Sequence, residues 1–598
     1  MKKMKSKSAG FLIVSMAVLV LITVLMSGIV SDWWNVKVQR VHFPAENGKI
    51  VSAIFYIPSE ASNENPVPAV LNFHGRGDNA HSVESYAMEQ ARRGYVGIVV
   101  DWDGGGQSEE LESAEGYAIA ATDFVKDMPF IDGGRLSVTG WSAGNKVMKS
   151  ISELYPDNYQ TIISVFAPMI PIINGECNAN LMILKSSGDQ YNYALTGTLE
   201  EVEAVVAEKF HVDKVVSGEV IGSFEDKTAR EYVYVDHSIH QDANINKTVI
   251  ANMLEFLDRS VPAPKALSYD DQIWKYVNIL SLFGYIAIFC ALASFACVLL
   301  EIPYFAVICN PLPKNRGRKG KKLYLNIIAN LVFLTIAFIP LSYIGINILT
   351  ESRIFPSRTL NSFLIYLLLS GLFSIVMIGF EIRGRKKAGE TVQLSDYAIA
   401  GEGETKIPWT KAGRAFLIGV ITAFAGFSWV HIAEHYFGVS YNFRSIFAHA
   451  IFMELTPYRF VKAIPYALIL FVIMFSTTIL MNTSNRIPDS GNPKKDMVLS
   501  MVINGILGAV PLLILLIIQY GGCELLNTGQ TVFPQFNNVG GNTSTGGLDF
   551  AASFPIMMFV GNSMVTFFYR KTGNHWVGSC IMGILMAFMS ITTCAMML

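Results

Sequence analysis

The stretch RLSVTGWSAGNKVMKSISELYPD, Arg135 to Asp157, decides how the first half of this chain is read. RLSVTG is short, apolar and β-branched, which predicts a buried strand. Val147, Met148, Ile151 and Leu154 then recur at helical spacing. Between strand and helix stands GWSAG: Gly140, Trp141, Ser142, Ala143 and Gly144. G-x-S-x-G at a strand-to-helix turn admits only very small residues two before and two after the serine. Such a turn holds the hydroxyl clear of the sheet and aims the Ala143 N–H at the same place. Ser142 is therefore the candidate nucleophile, the alternative being a purely structural turn.

Upstream, residues 36–43 and 51–57 alternate as an opening hairpin, and a Pro-, Ser- and Asn-rich loop, 58–68, follows. AVLNF, 69–73, predicts a buried strand that ends in HGRGD, His74 to Asp78. Gly75 and Gly77 let the backbone turn its N–H groups toward one point, as donors to developing negative charge must. A glycine-rich structural turn is the alternative. A helix around 84–93, the strand VGIVV, 96–100, and the loop DWDGGGQSEE come next. Asp101 and Asp103 sit in that loop, which reads as fold-shaping and carries no catalytic assignment. A helix over 115–127 leads into the elbow strand. Strands alternating with helices predict a mostly parallel sheet with helices on both faces.

Downstream, TIISVFA, 161–167, and LMILKSS, 181–187, are strands, the second ending at Gly188-Asp189. A serine hydroxyl needs a base to take its proton, and an imidazole base needs a carboxylate to hold its tautomer. Asp189, at the carboxyl end of its strand, is the candidate carboxylate. EYVYV, 231–235, is the next strand, and DHSIH offers His237 and His240. A base on a loop needs several residues of reach beyond the strand end, which favours His240 with His237 as second choice. TVIANMLEFL, 248–257, predicts a closing amphipathic helix.

The order Ser142, Asp189, His240, with HGRG, DWDGGGQS, GWSAG and GD each after its strand, resembles the α/β-hydrolase superfamily over residues 36–258. Within it the chain looks most like the dienelactone hydrolase and serine-peptidase-like esterase branches. That likeness implies oxyanion donors at the Arg76 and Ala143 amides and no cofactor or metal. Asn145 departs from it, standing where many relatives carry a second glycine. Only residues 168–180 occupy the place where many members insert a cap. This predicts an open site, covered if at all by 194–224 or by the second half of the chain, and able to take a bulky or lipid-like ester.

That second half is a series of long apolar runs, which raises the hydrophobic fraction to 51% beside 16% charged residues. Candidate spans are 11–30, 277–300, 323–349, 363–380, 415–430, 464–481, 498–518, 552–568 and 577–595. Each is near the roughly 20 residues that cross a bilayer. The expected organisation is a basic tail, 1–10, an anchor, 11–30, an α/β-hydrolase domain, 31–273, and an all-α polytopic domain of eight spans, 274–598. Lys and Arg gather in the tail, in 313–322, 383–387, and at Arg486, Lys494, Lys495, Arg570 and Lys571. Crossing at every span puts all of these on one side, so the N-terminus is expected in the cytoplasm and the sheet domain outside a bacterial cell membrane. A retained anchor is favoured over a cleaved signal, because the run is long and no A-x-A site follows.

A net charge of −2 gives no sign of a nucleic-acid partner. Of seven cysteines only Cys177 falls in the outer domain, so no disulfide is expected there. HIAEH, with His431, Glu434 and His435, is similar to an inverted zinc-peptidase motif, and Arg444, His449 and Glu454 follow. A polar patch against a protected interior is the stronger reading of it. Two functions stay open: a membrane-anchored serine hydrolase, or a transporter or sensor whose outer domain binds ligand without catalysis. An acyltransferase to a membrane acceptor lies between them.

Overall fold

The computed structural model describes residues 2–167, 178–191, 198–530, 532 and 547–596. Its nine-stranded sheet runs β1 (Val36–Pro44), β2 (Ile50–Pro58), β4 (Val96–Val100), β3 (Val67–Phe73), β5 (Ile131–Trp141), β6 (Tyr159–Val165), β7 (Asn180–Gly188), β9 (Arg230–Ile239) and β8 (Val220–Ile221). β1, β2 and β8 pair antiparallel, and β4-β3-β5-β6-β7-β9 is a parallel block. The predicted strands are all present. β8, only two residues long, has no signal in the sequence.

Period-two alternation sorts the strand residues onto two cores. Leu71, Ile98 and Val138 meet α3 (Ala114–Lys126), α4 (Asn145–Leu154) and α5 (Leu199–Phe210) on one face. Val70, Val99 and Val165 meet α2 (Glu84–Arg92) and α6 (Lys247–Ser260) on the other. The residue types explain the layers: a side chain of this size contributes roughly 1.5–3 kcal/mol when fully buried. The second core continues without a break into the apolar helices. This is an α/β-hydrolase fold joined to a helical bundle.

The bundle consists of α1 (Lys2–Val30), α7 (Trp274–Leu299), α8 (Gly320–Ile348), α9 (Arg358–Lys387), α10 (Trp409–Phe437), α11 (Pro457–Ile479), α12 (Pro493–Leu516), α13 (Pro555–Thr572) and α14 (Trp576–Thr593). Among the described residues nine helices are long and apolar enough to cross a membrane, the same nine expected from the sequence. Phe11, Ile336 and Phe424 point outward from three of them, each at least 70% exposed, as lipid-facing residues do. α14 is instead 94% buried and is the post around which its neighbours pack.

The basic tail is continuous with α1. α1 joins the bundle rather than standing apart: Thr23 Oγ1 lies 2.6 Å from Tyr441 Oη, and Ser27 Oγ donates to Phe437 O. A two-stranded hairpin not expected from the sequence, β10 (Tyr441–Phe443) and β11 (Ala450–Phe452), fills the α10–α11 connection.

Candidate active site

β5 delivers Ser142 at the end of the sheet and α4 leaves from the same point. The turn is as tight as the glycines imply. A Cβ on Gly144 would lie 2.3 Å from Phe73 O, and one on Gly140 would lie 2.8 Å from Asn145 N. Ser142 itself takes φ +52°, a left-handed conformation that costs a β-carbon-bearing residue energy and that the surrounding packing must enforce. Its hydroxyl is thereby lifted off the strand, and its backbone approaches Gly75, whose Cβ would sit 3.3 Å from Ser142 Cβ.

Ser142, Asp189 and His240 come from three separate loops and meet. Ser142 Oγ lies 2.7 Å from His240 Nε2, and His240 Nδ1 lies 3.2 Å from Asp189 Oδ1. With the Nδ1–H tautomer the ring donates to Asp189 and accepts from Ser142. Asp189 is fully buried and accepts a second bond from Tyr191 N at 2.9 Å. The Tyr191 and Trp141 rings flank the imidazole, with centroids 4.4 and 5.9 Å away. Neither ring was singled out from the sequence.

The strand before the base is longer than expected. β9 does not stop at Val235 but continues to Ile239, past a register shift in which Ser186 pairs with Val235 and Gly188 with Ile239. The intervening residues form a bulge, and His237, at φ +50°, belongs to it. His237 is exposed and turns away from Ser142: its Nδ1 meets Glu524 O at 2.9 Å. His240 reaches the serine directly from the strand end, without the loop excursion expected of it.

Asn145 does more than replace a glycine. Its Nδ2 donates to Gly140 O at 2.6 Å and Ser142 O at 2.9 Å, tying the two sides of the elbow together. The HGRGD loop is pinned similarly. His74 Nδ1 donates to Gly75 O, and its Nε2 accepts from Trp102 N, which requires the neutral Nδ1–H ring. Gly75 and Gly77 flank Arg76, whose side chain is exposed, and the loop lies beside Trp141, Ser142 and Gly144.

Asp101 has the fold-shaping part expected of its loop. It accepts from Ala80 N, Gln107 N and Arg40 Nη1. Burial alone would raise its pKa, but Arg40 and these amides hold its carboxyl below the ordinary value. Asp103 takes φ +54° in the same loop.

Segments of the bundle meet the rim of this site. Arg444 forms a two-pronged ion pair with Asp78, at 2.7 and 2.9 Å. Arg459 Nη2 and Met596 N both donate to Gly104 O. Asn527 bonds Ser187, Asp236 and the His237 amide. Phe550 packs on Gly77. Of the two covers expected from the sequence, it is the second half of the chain that makes these contacts. The start of the other, 194–197, lies outside the described residues, as does most of the short connection, 168–177, with Cys177.

HIAEH serves the same junction. Glu434 lies 3.8 Å from His81 Nε2 and 3.9 Å from Arg40, and it accepts from Glu454 N. His431 pairs with Glu454 and stacks on His435. Among the described residues, no three His, Cys, Asp or Glu side chains are grouped to hold a metal ion.

The turn carrying His240 contains a pH-sensitive group. Burial pushes the Asp242 carboxyl up to about 7, although Ser238 and Asn246 donate to it. Between roughly pH 4 and 7 the folded state thus holds a proton that the unfolded state has lost, and stability falls as pH rises through that window. Asp242→Asn is expected to match the parent below pH 4 and to exceed it by about 4 kcal/mol at pH 8, read from thermal unfolding.

Strand order, elbow, and the chain order of Ser142, Asp189 and His240 define an α/β-hydrolase domain, here carried on a bundle of apolar helices. Solved structures similar to this chain include a dienelactone hydrolase-like promiscuous phosphotriesterase from metagenomic libraries. It is 14% identical, covers 42% of this chain and 98% of its own, and has a TM-score of 0.28. An esterase of Pyrococcus furiosus is 15% identical over 39% of this chain and 96% of its own, with a TM-score of 0.29. A predicted CIB-like hydrolase of Thermoplasma acidophilum is 18% identical over 37% and 98%, with a TM-score of 0.28. No protein-family model matches the chain, and no curated protein matches it by sequence.

Proposed function

We propose that the chain is a membrane-anchored serine hydrolase that cleaves an ester, thioester or amide on the outer face of the membrane, without metal or organic cofactor. The reading rests above all on the hydrogen-bonded line from Ser142 Oγ through His240 to the buried Asp189, at 2.7 and 3.2 Å. His240 Nε2 takes the hydroxyl proton as Ser142 Oγ bonds the carbonyl carbon. The Arg76 and Ala143 amides receive the oxyanion, a donor of this kind supplying about 3–4 kcal/mol of transition-state stabilisation. Collapse breaks the bond to the leaving group, which takes the proton from His240. Water, deprotonated by the same imidazole, then releases the acid and restores Ser142. Asp189 keeps the ring in the Nδ1–H tautomer and stabilises the imidazolium. The outward placement of the sheet domain follows from the lysine and arginine stretches gathered on the other side.

An alkyl fluorophosphonate tests this on the intact protein. Ser142 Oγ bonds phosphorus, fluoride leaves, and the adduct is stable. Labelling is expected in the parent and absent in Ser142→Ala. Labelling that survives the substitution overturns the assignment, and a parent that never labels returns the reading to a ligand-binding transporter or sensor.

A further inference from the structure

Within the bundle, α8, α9, α11, α12, α13 and α14 surround a partly open cavity, in which about 110 Å³ is free to the centre of a water-sized molecule. The end nearer the sheet domain is apolar, lined by Leu334, Phe363, Leu367, Leu470, Leu512 and Phe554. Farther in, Asn330, Ser370, Asn504 and Asn562 form a polar belt. Asn562 is 93% buried by its 7% exposure, faces this space, and has no hydrogen-bond partner among the described residues, unlike Asn504, which bonds Asn482 and Thr566. A π turn at Leu480–Ser484 widens α11 beside the cavity, with Leu480 and Met481 on its wall.

The apolar end points at the catalytic loops. Phe554 lines the cavity, and Phe550, four residues before it, packs on Gly77 of the HGRGD loop. Four residues of 3₁₀ or α backbone span about 6–8 Å, so the top of the cavity lies about one helical turn from that loop. From Phe554 to Asn562 is eight residues of α13, about 12 Å. One leaflet of the hydrocarbon core, the depth of one lipid chain, is about 15 Å.

Resting on the serine-hydrolase reading, we infer that this cavity binds the aliphatic chain of a lipid ester, whose carbonyl is thereby presented to Ser142 from the membrane side. The apolar end takes the chain, and the belt at Asn330, Asn504 and Asn562 limits its depth. The rim contacts explain why the substrate comes from below. Arg444, Asn527, Phe550 and Met596 contact the loops around Ser142 and His240 from the bundle side.

The test compares an ethyl with a hexadecyl fluorophosphonate on the full chain in detergent or nanodiscs. Leu470→Trp and, on the less buried side, Leu334→Trp fill the apolar end. Each is expected to lower the hexadecyl-to-ethyl labelling-rate ratio by about tenfold or more, the ethyl rate staying within about threefold of the parent. Asn562→Leu, which extends the apolar zone, raises the ratio. A ratio unchanged in both tryptophan variants while ethyl labelling persists overturns the chain site but leaves the hydrolase standing. Failure of both probes on the parent overturns the hydrolase reading, and this inference with it. A readout independent of turnover uses a photoreactive diacyl lipid on Ser142→Ala. Crosslinks to Leu334 or Phe363 support the site, and crosslinks confined to outward residues such as Phe424 overturn it.

Discussion

His240→Ala is expected to lower hydrolysis of an activated aryl ester by about 10⁴- to 10⁶-fold in kcat, the scale on which loss of a triad base is felt. His237→Ala should stay within about threefold, since that ring contacts Glu524 O and not the serine. The pair decides more than the identity of a base, because the two histidines stand three residues apart on one strand end. A loop that merely needed an imidazole nearby could use either. Only the bulge before Ile239 determines which ring faces Ser142 Oγ. Equal losses in the two variants would mean that the bulge does not hold in solution, and a loss confined to His237→Ala would reverse the assignment. The measurement is steady-state kinetics on purified protein, with thermal unfolding run in parallel to show that both variants fold.

Glu89→Ala is expected to destabilise the protein by about 3–5 kcal/mol, the penalty for removing one partner of a buried charge cluster. The Glu89 side chain is fully buried. Its Oε2 accepts from Arg92 and Arg93 at 2.9 and 3.2 Å, and its Oε1 from Ile273 N and Trp274 N at 2.6 and 3.2 Å. One carboxylate thus faces two nearly buried arginines at the C-terminal end of α2 and caps the first turn of α7, where the helix dipole favours negative charge. Removing it leaves Arg92 with the more exposed Asp271 and Asp32, leaves Arg93 with main-chain carbonyls only, and strands two amide N–H groups at the joint between sheet domain and bundle. Glu89→Gln, which keeps an acceptor for the amides, should recover part of the loss. The check is the unfolding midpoint in detergent. A variant that melts with the parent would show that the joint is held by apolar contact alone.

Much of this molecule is legible in one dimension because its signals are local. The strand–GWSAG–helix turn depends on which residues fit within a few positions of Ser142, and the structure supplies the backbone crowding that those glycines relieve. The nine apolar helices are likewise readable, since about 20 consecutive apolar residues carry their own reason to cross a bilayer. Asp189 and His240 could be nominated by order along the chain. The Asn145 bonds, the Tyr191 and Trp141 flanks and the end of β9 could not, because each depends on backbone positions set by neighbouring strands.

The amino-acid sequence alone thus determined a parallel α/β sheet with a serine at its elbow, a set of apolar spans and the connections in which lysine and arginine gather. Periodicity, turn sterics and hydropathy are properties of short segments. Tertiary structure alone decided that Glu434 of HIAEH meets His81 and Arg40, and that Arg444 grips Asp78 across 366 residues. It also decided that the loops bearing Asp78, Gly104 and His237 face the bundle. Such contacts depend on how two layers pack against each other, and no local pattern in either layer records the partner it will meet.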